Sequence, residues 1–218
     1  IRSCLVGSEM CIRDREFIYQ FPIYAGEVNL ARFIFFYEMY KKVKDLSGHI
    51  ADIGTWKGGS FFSFIKFVRL FEKNSQTIVY GFDWFKGMKP GINDDRSNVG
   101  KYATSYKGLK NLLKIQGLDK IGNIQKMDLT KKFELFINKN KWLRFKLAFI
   151  DCGTEKVLQS TLPHIWSRLV DGGILILDHY NNPASPTESE ILEKYIGQNK
   201  IYQLSFVRQP TAYVVKKK

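Results

Sequence analysis

The feature that most constrains the fold is a regular alternation of β-rich and helix-like segments from Glu16 onward. Apolar residues at helical spacing predict helices over Glu27–Lys44, Ser60–Phe71, Ser105–Gln116, Lys131–Asn138, Val157–Leu169 and Thr187–Tyr195. Short apolar runs predict strands over His49–Ile53, Thr77–Phe82, Asn123–Met127, Phe145–Ile150, Gly173–Leu177, Ile201–Phe206 and Ala212–Lys216. Such alternation is typical of a mainly parallel sheet with helices on both faces.

The last two β-rich runs have no helix between them. Arg208-Gln209-Pro210 joins them, which indicates a hairpin. The sequence therefore predicts a Rossmann-like α/β fold whose seven-stranded, mainly parallel sheet ends in a C-terminal antiparallel hairpin.

The first fifteen residues need separate treatment. Leu5–Arg15 reads LVGSEMCIRDR, which is one reading frame of a common transposase-type sequencing adapter. We expect residues 1–15 to be an assembly artefact outside the fold, the alternative being a genuine extension. Residues 16–218 are then one domain with an N-terminal helical segment over residues 16–47.

Composition narrows the class of protein and of partner. The longest apolar runs are only a few residues, so no membrane span is expected. Outside residues 1–15 the single cysteine, Cys152, fits a reducing cytoplasm. A net charge of +13 favours anionic partners or only a solubilising surface. Because no basic-aromatic stripe accompanies that charge, we expect no nucleic-acid partner. The sequence leaves open whether the protein forms a homo-oligomer.

A glycine-rich turn, ADIGTWKGGS at Ala51–Ser60, joins the first predicted strand to a helix. Gly54, Gly58 and Gly59 lack Cβ atoms, so the backbone can turn tightly and a ligand can approach it closely. The spacing differs from the G-x-G-x-x-G fingerprint and from a phosphate loop. A tight turn without a ligand is the alternative.

Acidic residues follow the next two predicted strands. Asp83, within GFDWF, lies at the distance from the glycine turn at which nucleotide-binding α/β folds hold ribose hydroxyls. Trp84 beside it either flanks a ligand or packs in the core. Asp128, after the third strand, either approaches a ligand or only caps the next helix.

The two central apolar strands also end in chemistry-bearing side chains. FIDCG places Asp151 after one strand, and LILDHY places Asp178 and His179 after the other. Neighbouring parallel strands end side by side, so these three side chains are expected to converge. Two carboxylates and an imidazole bind a divalent metal or perform acid–base chemistry. The alternative is local capping or pairing.

Taken together, the chain from about Phe21 onward resembles the macrocin O-methyltransferase family of sugar O-methyltransferases. The resemblance rests on ADIGTWKGGSFFSF, YGFDWFKGM, FIDCG, LPHIWSRLVDGGILILDHYNNP and the following Thr187-Glu188. It implies a class I methyltransferase, a fold that closes on an antiparallel hairpin. It also implies S-adenosylmethionine as cofactor and often a magnesium ion.

The resemblance assigns roles to individual residues. It implies that Asp52, Gly54, Gly58 and Ser60 hold the methionine and ribose part of the cofactor, with Asp83 on the ribose hydroxyls and Asp128 near the adenine. The predicted cofactor-binding set also includes Thr55, Gly59, Trp84 and Asp151. The implied metal ligands are Asp151, Asp178 and His179. His179, Asp178 and Glu188 are the candidate catalytic residues.

Two positions depart from the family. Many members carry Asp-x-Asp after the first metal strand, where this chain has Gly153, and Asp-Asp or Asp-Glu after the second, where it has Asp178-His179. Metal use is therefore left open. The expected activity is methyl transfer to a sugar hydroxyl of a nucleotide-sugar, glycan or glycosylated metabolite. A non-catalytic nucleotide or sugar-nucleotide binding homologue and an NAD-dependent Rossmann enzyme are the alternatives.

Overall fold

A seven-stranded sheet organises the part of the chain that the structure describes. The computed structural model describes residues 20–89, 91, 96–181, 187–197, 199–210 and 212–217. The strands are β1 (His49–Ile53), β2 (Val79–Asp83), β3 (Gly122–Lys126), β4 (Phe145–Ile150), β5 (Leu169–Leu177), β6 (Ile201–Tyr202) and β7 (Ala212–Val215). Their spatial order is β3-β2-β1-β4-β5-β7-β6. Strands β1 to β5 pair in parallel, whereas β7 is antiparallel to both β5 and β6, which confirms the predicted fold class.

Helices cover both faces of this sheet. They are α1 (Phe21–Tyr24), α2 (Glu27–Val43), α3 (Gly59–Phe71), α4 (Tyr106–Ile115), α5 (Leu129–Lys139), α6 (Glu155–Arg168) and α7 (Thr187–Ile196). Helices α2, α3 and α4 contribute to one buried apolar cluster, and α5, α6 and α7 to the other. The side chains of β4 alternate between the two clusters, because successive residues of a strand face opposite sides.

Local chemistry explains several element boundaries. Ser105 caps the N-terminus of α4, where its hydroxyl accepts the Gly108 N–H at 3.0 Å. Pro163 lies inside α6. Strand β5 begins four residues earlier than predicted, because the polar Asp171-Gly172 interrupts its apolar pattern without ending the strand. Strand β6 ends at Tyr202, so the predicted run to Phe206 was too long.

Part of the predicted chain organisation falls outside these residues. The assignment of residues 1–15 lies outside the described part of the chain. Between β2 and α4, a short 3-10 helix lies at Arg96–Asn98, and Lys86 forms an isolated bridge with Ala103. No helix among the described residues is both long and apolar enough to cross a membrane.

A buried ion pair lies near the start of β4, at the edge of the sheet opposite the carboxyl ends of the parallel strands. Lys146, at an irregularity in β4, donates to Glu72 Oε2 at 2.8 Å and to the Lys44 carbonyl at 3.1 Å. Tyr40 and Thr77 donate to the same carboxylate, each at 2.7 Å. Burial alone would raise the pKa of Glu72, but these hydrogen bonds outweigh it and lower the pKa. The charged pair is therefore fully hydrogen-bonded.

Candidate active site

A cavity of about 840 Å³ opens at the carboxyl edge of the parallel strands. Its size lies within the roughly 300–1,000 Å³ of small-molecule sites. Residues at or just after the ends of all five parallel strands line it: Gly54, Asp83, Asp128, Asp151 and Asp178. The described residues thus bring five strand ends to one cavity, and Asp151 and Asp178 converge there as the sequence analysis expected.

The glycine turn forms one wall, and its glycines differ in what they require. Gly54 has φ +86°, and an added Cβ would lie 1.9 Å from the Asp151 carbonyl oxygen. The chain at Asp151, just after the neighbouring strand, therefore leaves room only for glycine at position 54. Gly58 caps α3 in the left-handed region and does not line the cavity. Gly59 lines the cavity, and apart from its chain neighbours and the backbone of its own helix no described atom lies within 4 Å of its Cβ position. The fold itself therefore does not require glycine at position 59.

Asp52 is buried beneath this turn. The Ser60 hydroxyl donates to Asp52 Oδ1 at 2.8 Å, and the Thr55 hydroxyl donates to the Asp52 carbonyl at 3.1 Å. Among the described residues, Oδ2 has no hydrogen-bond partner. Burial raises the pKa of Asp52 to about 7, against the opposing effect of the Ser60 hydrogen bond. Thr55 and Ser60 line the cavity, whereas Asp52 does not.

Asp83 fixes two turns at the cavity wall. Its carboxylate accepts the backbone N–H of Trp56 at 2.8 Å and of Phe85 at 2.6 Å. Both donors have left-handed backbones, with φ of +46° and +64°. Burial nevertheless raises the pKa of Asp83. A carboxylate has about four acceptor sites, so Asp83 can accept further donors from a ligand. Trp84 also lines the cavity, and its indole N–H donates to the Gly87 carbonyl.

Asp128 combines the two roles that the sequence left open. It caps α5 by accepting the Thr130 N–H at 3.1 Å and the Thr130 hydroxyl at 2.7 Å. It also lines the cavity. Capping therefore does not exclude a contact with a ligand.

The three predicted metal ligands lie together. His179 Nδ1 is 3.8 Å from Asp151 Oδ1, and Nε2 is 3.7 Å from Asp178 Oδ2. One donor atom from each residue lies within 4.8 Å of the others. Burial, and then the negative charge of Asp178, raise the pKa of Asp151. Nδ1 of His179 is buried without a hydrogen-bond partner among the described residues.

Arg32, on α2, completes this cluster, and the sequence analysis missed it. Nη1 donates to Asp178 Oδ1 at 2.6 Å and Nη2 to Asp151 Oδ2 at 3.2 Å. The guanidinium lies 5.1 Å from the ring centre of Phe36 and 5.4 Å from that of Phe149. Arg32 is the only charged residue between Glu27 and Glu38 in an aromatic-rich helix, which was the available signal.

Glu188 lies elsewhere. It is buried at the start of α7 and is not among the cavity-lining residues. Its catalytic role stays a prediction.

Comparison with known proteins identifies the chain. A family profile described as a methyltransferase domain matches residues 51–180, well over half of the chain. The protein is a member of this methyltransferase family. The match ends just beyond His179 and therefore includes the glycine turn and all five parallel strand ends. The S-adenosylmethionine-dependent class predicted from the sequence is confirmed. No curated protein matches the methyltransferase significantly in sequence.

Solved structures agree on the fold. The calicheamicin methyltransferase CalS11 superposes with a TM-score of 0.82 at 18% identity, covering 98% of this chain and 87% of its own. The apo form of CalS11, a TDP-rhamnose 3′-O-methyltransferase, gives 0.74 at 18% identity over 93% and 86%. The O-methyltransferase NovP gives 0.70 at 15% identity over 87% and 81%. At these identities the likeness concerns the fold.

Two independent observations indicate that the cavity of the methyltransferase fits S-adenosylmethionine. Gly59 leaves an open position at the wall where a side chain would intrude. Asp83 keeps acceptor capacity beside it. The fit to Mg²⁺ is poorer, since that ion prefers oxygen ligands. The cluster offers two carboxylates and one imidazole, and Arg32 already binds both carboxylates.

Proposed function

We propose that this methyltransferase transfers a methyl group from S-adenosylmethionine to a hydroxyl of a sugar-containing small molecule. The observation that carries the proposal is one cavity with two chemically different walls. The glycine turn and Asp83 form one wall, and the cluster of Asp151, Asp178 and His179 forms the other. The first suits the cofactor, and the second suits a hydroxyl that must be oriented and deprotonated.

Charge and polar groups support the acceptor class. Among the described residues, five basic side chains line the cavity: Arg32, Lys57, Lys89, Lys131 and Lys156. Buried Thr154 also lines it, and its hydroxyl has no hydrogen-bond partner among the described residues. An acceptor with both phosphate charge and hydroxyls, such as a nucleotide-sugar, complements this lining. CalS11 is itself a TDP-rhamnose methyltransferase. A glycan or a glycosylated metabolite belongs to the same proposal.

The protein's part in the reaction is alignment and proton removal. The cofactor supplies an electrophilic methyl group on a sulfonium. Asp151 and Asp178 accept hydrogen bonds from the acceptor's hydroxyls and so orient the reacting oxygen. His179, whose ring nitrogens lie beyond hydrogen-bond distance of both carboxylates, accepts the proton of that hydroxyl. Because the donor set does not match Mg²⁺, no step is assigned to a metal.

The test is methyl transfer by an Asp178→Ala variant. Labelled S-adenosylmethionine is supplied with a panel of nucleotide-sugars, and we expect turnover to fall at least about 100-fold while the protein stays folded and binds cofactor. The matched control is Asp119→Ala, which removes an exposed carboxylate outside the cavity. A fully active Asp178→Ala variant would contradict a role of the acidic cluster in methyl transfer.

Binding measurements separate the alternatives. Calorimetry should detect S-adenosylmethionine binding to the wild-type protein and no comparable NAD binding. Preferential NAD binding would contradict the proposal. Cofactor binding without turnover on any acceptor of the panel would favour a non-catalytic homologue.

A further inference from the structure

Arg32 occupies the position of a counter-cation at the acidic pair. Its two terminal nitrogens each donate to a different carboxylate, one at 2.6 Å and one at 3.2 Å. The guanidinium also lies against the buried rings of Phe36 and Phe149, which fix its orientation. A guanidinium remains charged in proteins and is planar, so it can bind two carboxylates at once.

The same cluster is poorly equipped for a hard divalent ion. One oxygen of each carboxylate is already bound to Arg32, and the oxygens that remain face His179. A third carboxylate from the loop after β4 is missing, because position 153 is glycine. That glycine has φ +54°, where a side chain is strained, and an added Cβ would lie 3.2 Å from the Met88 methyl. A divalent cation between the carboxylates would also be repelled by Arg32.

We propose that Arg32 replaces a divalent metal as the resident cation of the acceptor site, so that methyl transfer proceeds without one. This inference rests on the proposed function of the same cavity. Arg32 acts through the two carboxylates that it holds, and it is therefore a positioning residue. Its role predicts that metal binding and the Arg32 side chain exclude one another.

The experiment measures Mn²⁺ binding directly, by electron paramagnetic resonance of the free ion. It needs neither cofactor nor acceptor. Wild-type protein should bind Mn²⁺ no more tightly than about millimolar. Arg32→Met keeps an unbranched apolar side chain on Phe36 and Phe149 but removes the charge, and it should bind Mn²⁺ at least about 10-fold more tightly. Adding Asp178→Ala to that variant should abolish the gain. Arg69→Met, which removes an arginine outside the cavity, should behave as wild type.

Turnover provides a second readout. Wild-type methyl transfer should be unchanged by a chelator, whereas Arg32→Met should be impaired and partly restored by Mn²⁺. Arg32→Lys keeps the charge without the planar pair of donors, so it should still exclude Mn²⁺ and is available if Arg32→Met does not fold. Micromolar Mn²⁺ binding by wild type, loss of its activity on chelation, or tight Mn²⁺ binding by Arg32→Lys would overturn the inference. Failure of the proposed function would instead appear as a wild-type protein without affinity for S-adenosylmethionine.

Discussion

Gly59 offers the sharpest test of where the cofactor binds, because nothing in the described protein requires a glycine there. Gly59 begins α3, and apart from its chain neighbours and the backbone of that helix no described atom lies within 4 Å of its Cβ position. Alanine is favoured over glycine inside helices by up to about 1 kcal/mol, so Gly59→Ala should leave stability unchanged or slightly raised. The added methyl group should instead enter the space of the cofactor.

The expected loss of affinity follows from overpacking. Adding a methyl group to a well-packed contact costs about 1–3 kcal/mol, which corresponds to an S-adenosylmethionine dissociation constant about 5- to 150-fold weaker. Isothermal titration calorimetry measures the dissociation constant, and thermal unfolding measures stability in parallel. The dissociation constant should rise, whereas the stability should stay unchanged or rise slightly.

Two other glycines serve as comparisons. Gly54→Ala would place its Cβ 1.9 Å from the Asp151 carbonyl oxygen at φ +86°, so this variant should fail to fold. Gly26→Ala, at the N-cap of α2 and outside the cavity, should bind the cofactor as wild type does. A folded Gly59→Ala protein with wild-type affinity would refute the placement of the cofactor against the glycine turn.

Two further predictions concern the buried charges. In the folded protein the pKa of Asp52 is about 7, above its ordinary value of 3.8. Between these two pH values the folded state therefore keeps a proton that the unfolded state has released. Because of this difference, the free energy of unfolding falls as the pH rises from about 4 to about 7. Between pH 4.5 and 7.5 this linkage should lower the stability of the wild-type protein by about 3 kcal/mol, and Asp52→Asn should remove that loss. Urea unfolding of both proteins at the two pH values measures the difference, and an equal loss in both proteins would contradict the prediction. Lys146→Met should destabilise the protein by about 3–5 kcal/mol by leaving Glu72 buried without its cation, and adding Glu72→Gln should recover much of the loss. Additive effects in that double-mutant cycle would show that the pair is not coupled.

The fold was predictable because its signals are periodic and local. The bounds predicted for β1 and β4 match the structure, since each is a short, mostly apolar run between polar turns. The start of β5 was missed because Asp171-Gly172 breaks the apolar pattern of a strand that hydrogen bonds nevertheless continue. A strand held by pairing across the sheet need not show its full length in its own sequence.

The site was predictable where it follows from strand ends. Asp83, Asp151 and Asp178 each end or follow an apolar run, and a parallel sheet brings such positions to one edge. Arg32 could not be found in this way, because its partners are 119 and 146 residues away in sequence. That contact depends on how α2 packs on the sheet, and no local pattern specifies this packing.

The position of α2 has a practical consequence for making this protein. Residues 51–180 carry the family match, yet α2 precedes them. A shortened version beginning at β1 would lose Arg32, together with the core residues Phe35, Phe36, Met39, Tyr40 and Val43. Two carboxylates would then face each other without their guanidinium, over an uncovered apolar sheet face. An expression fragment bounded by the family match alone would therefore expose this apolar face and is expected to aggregate.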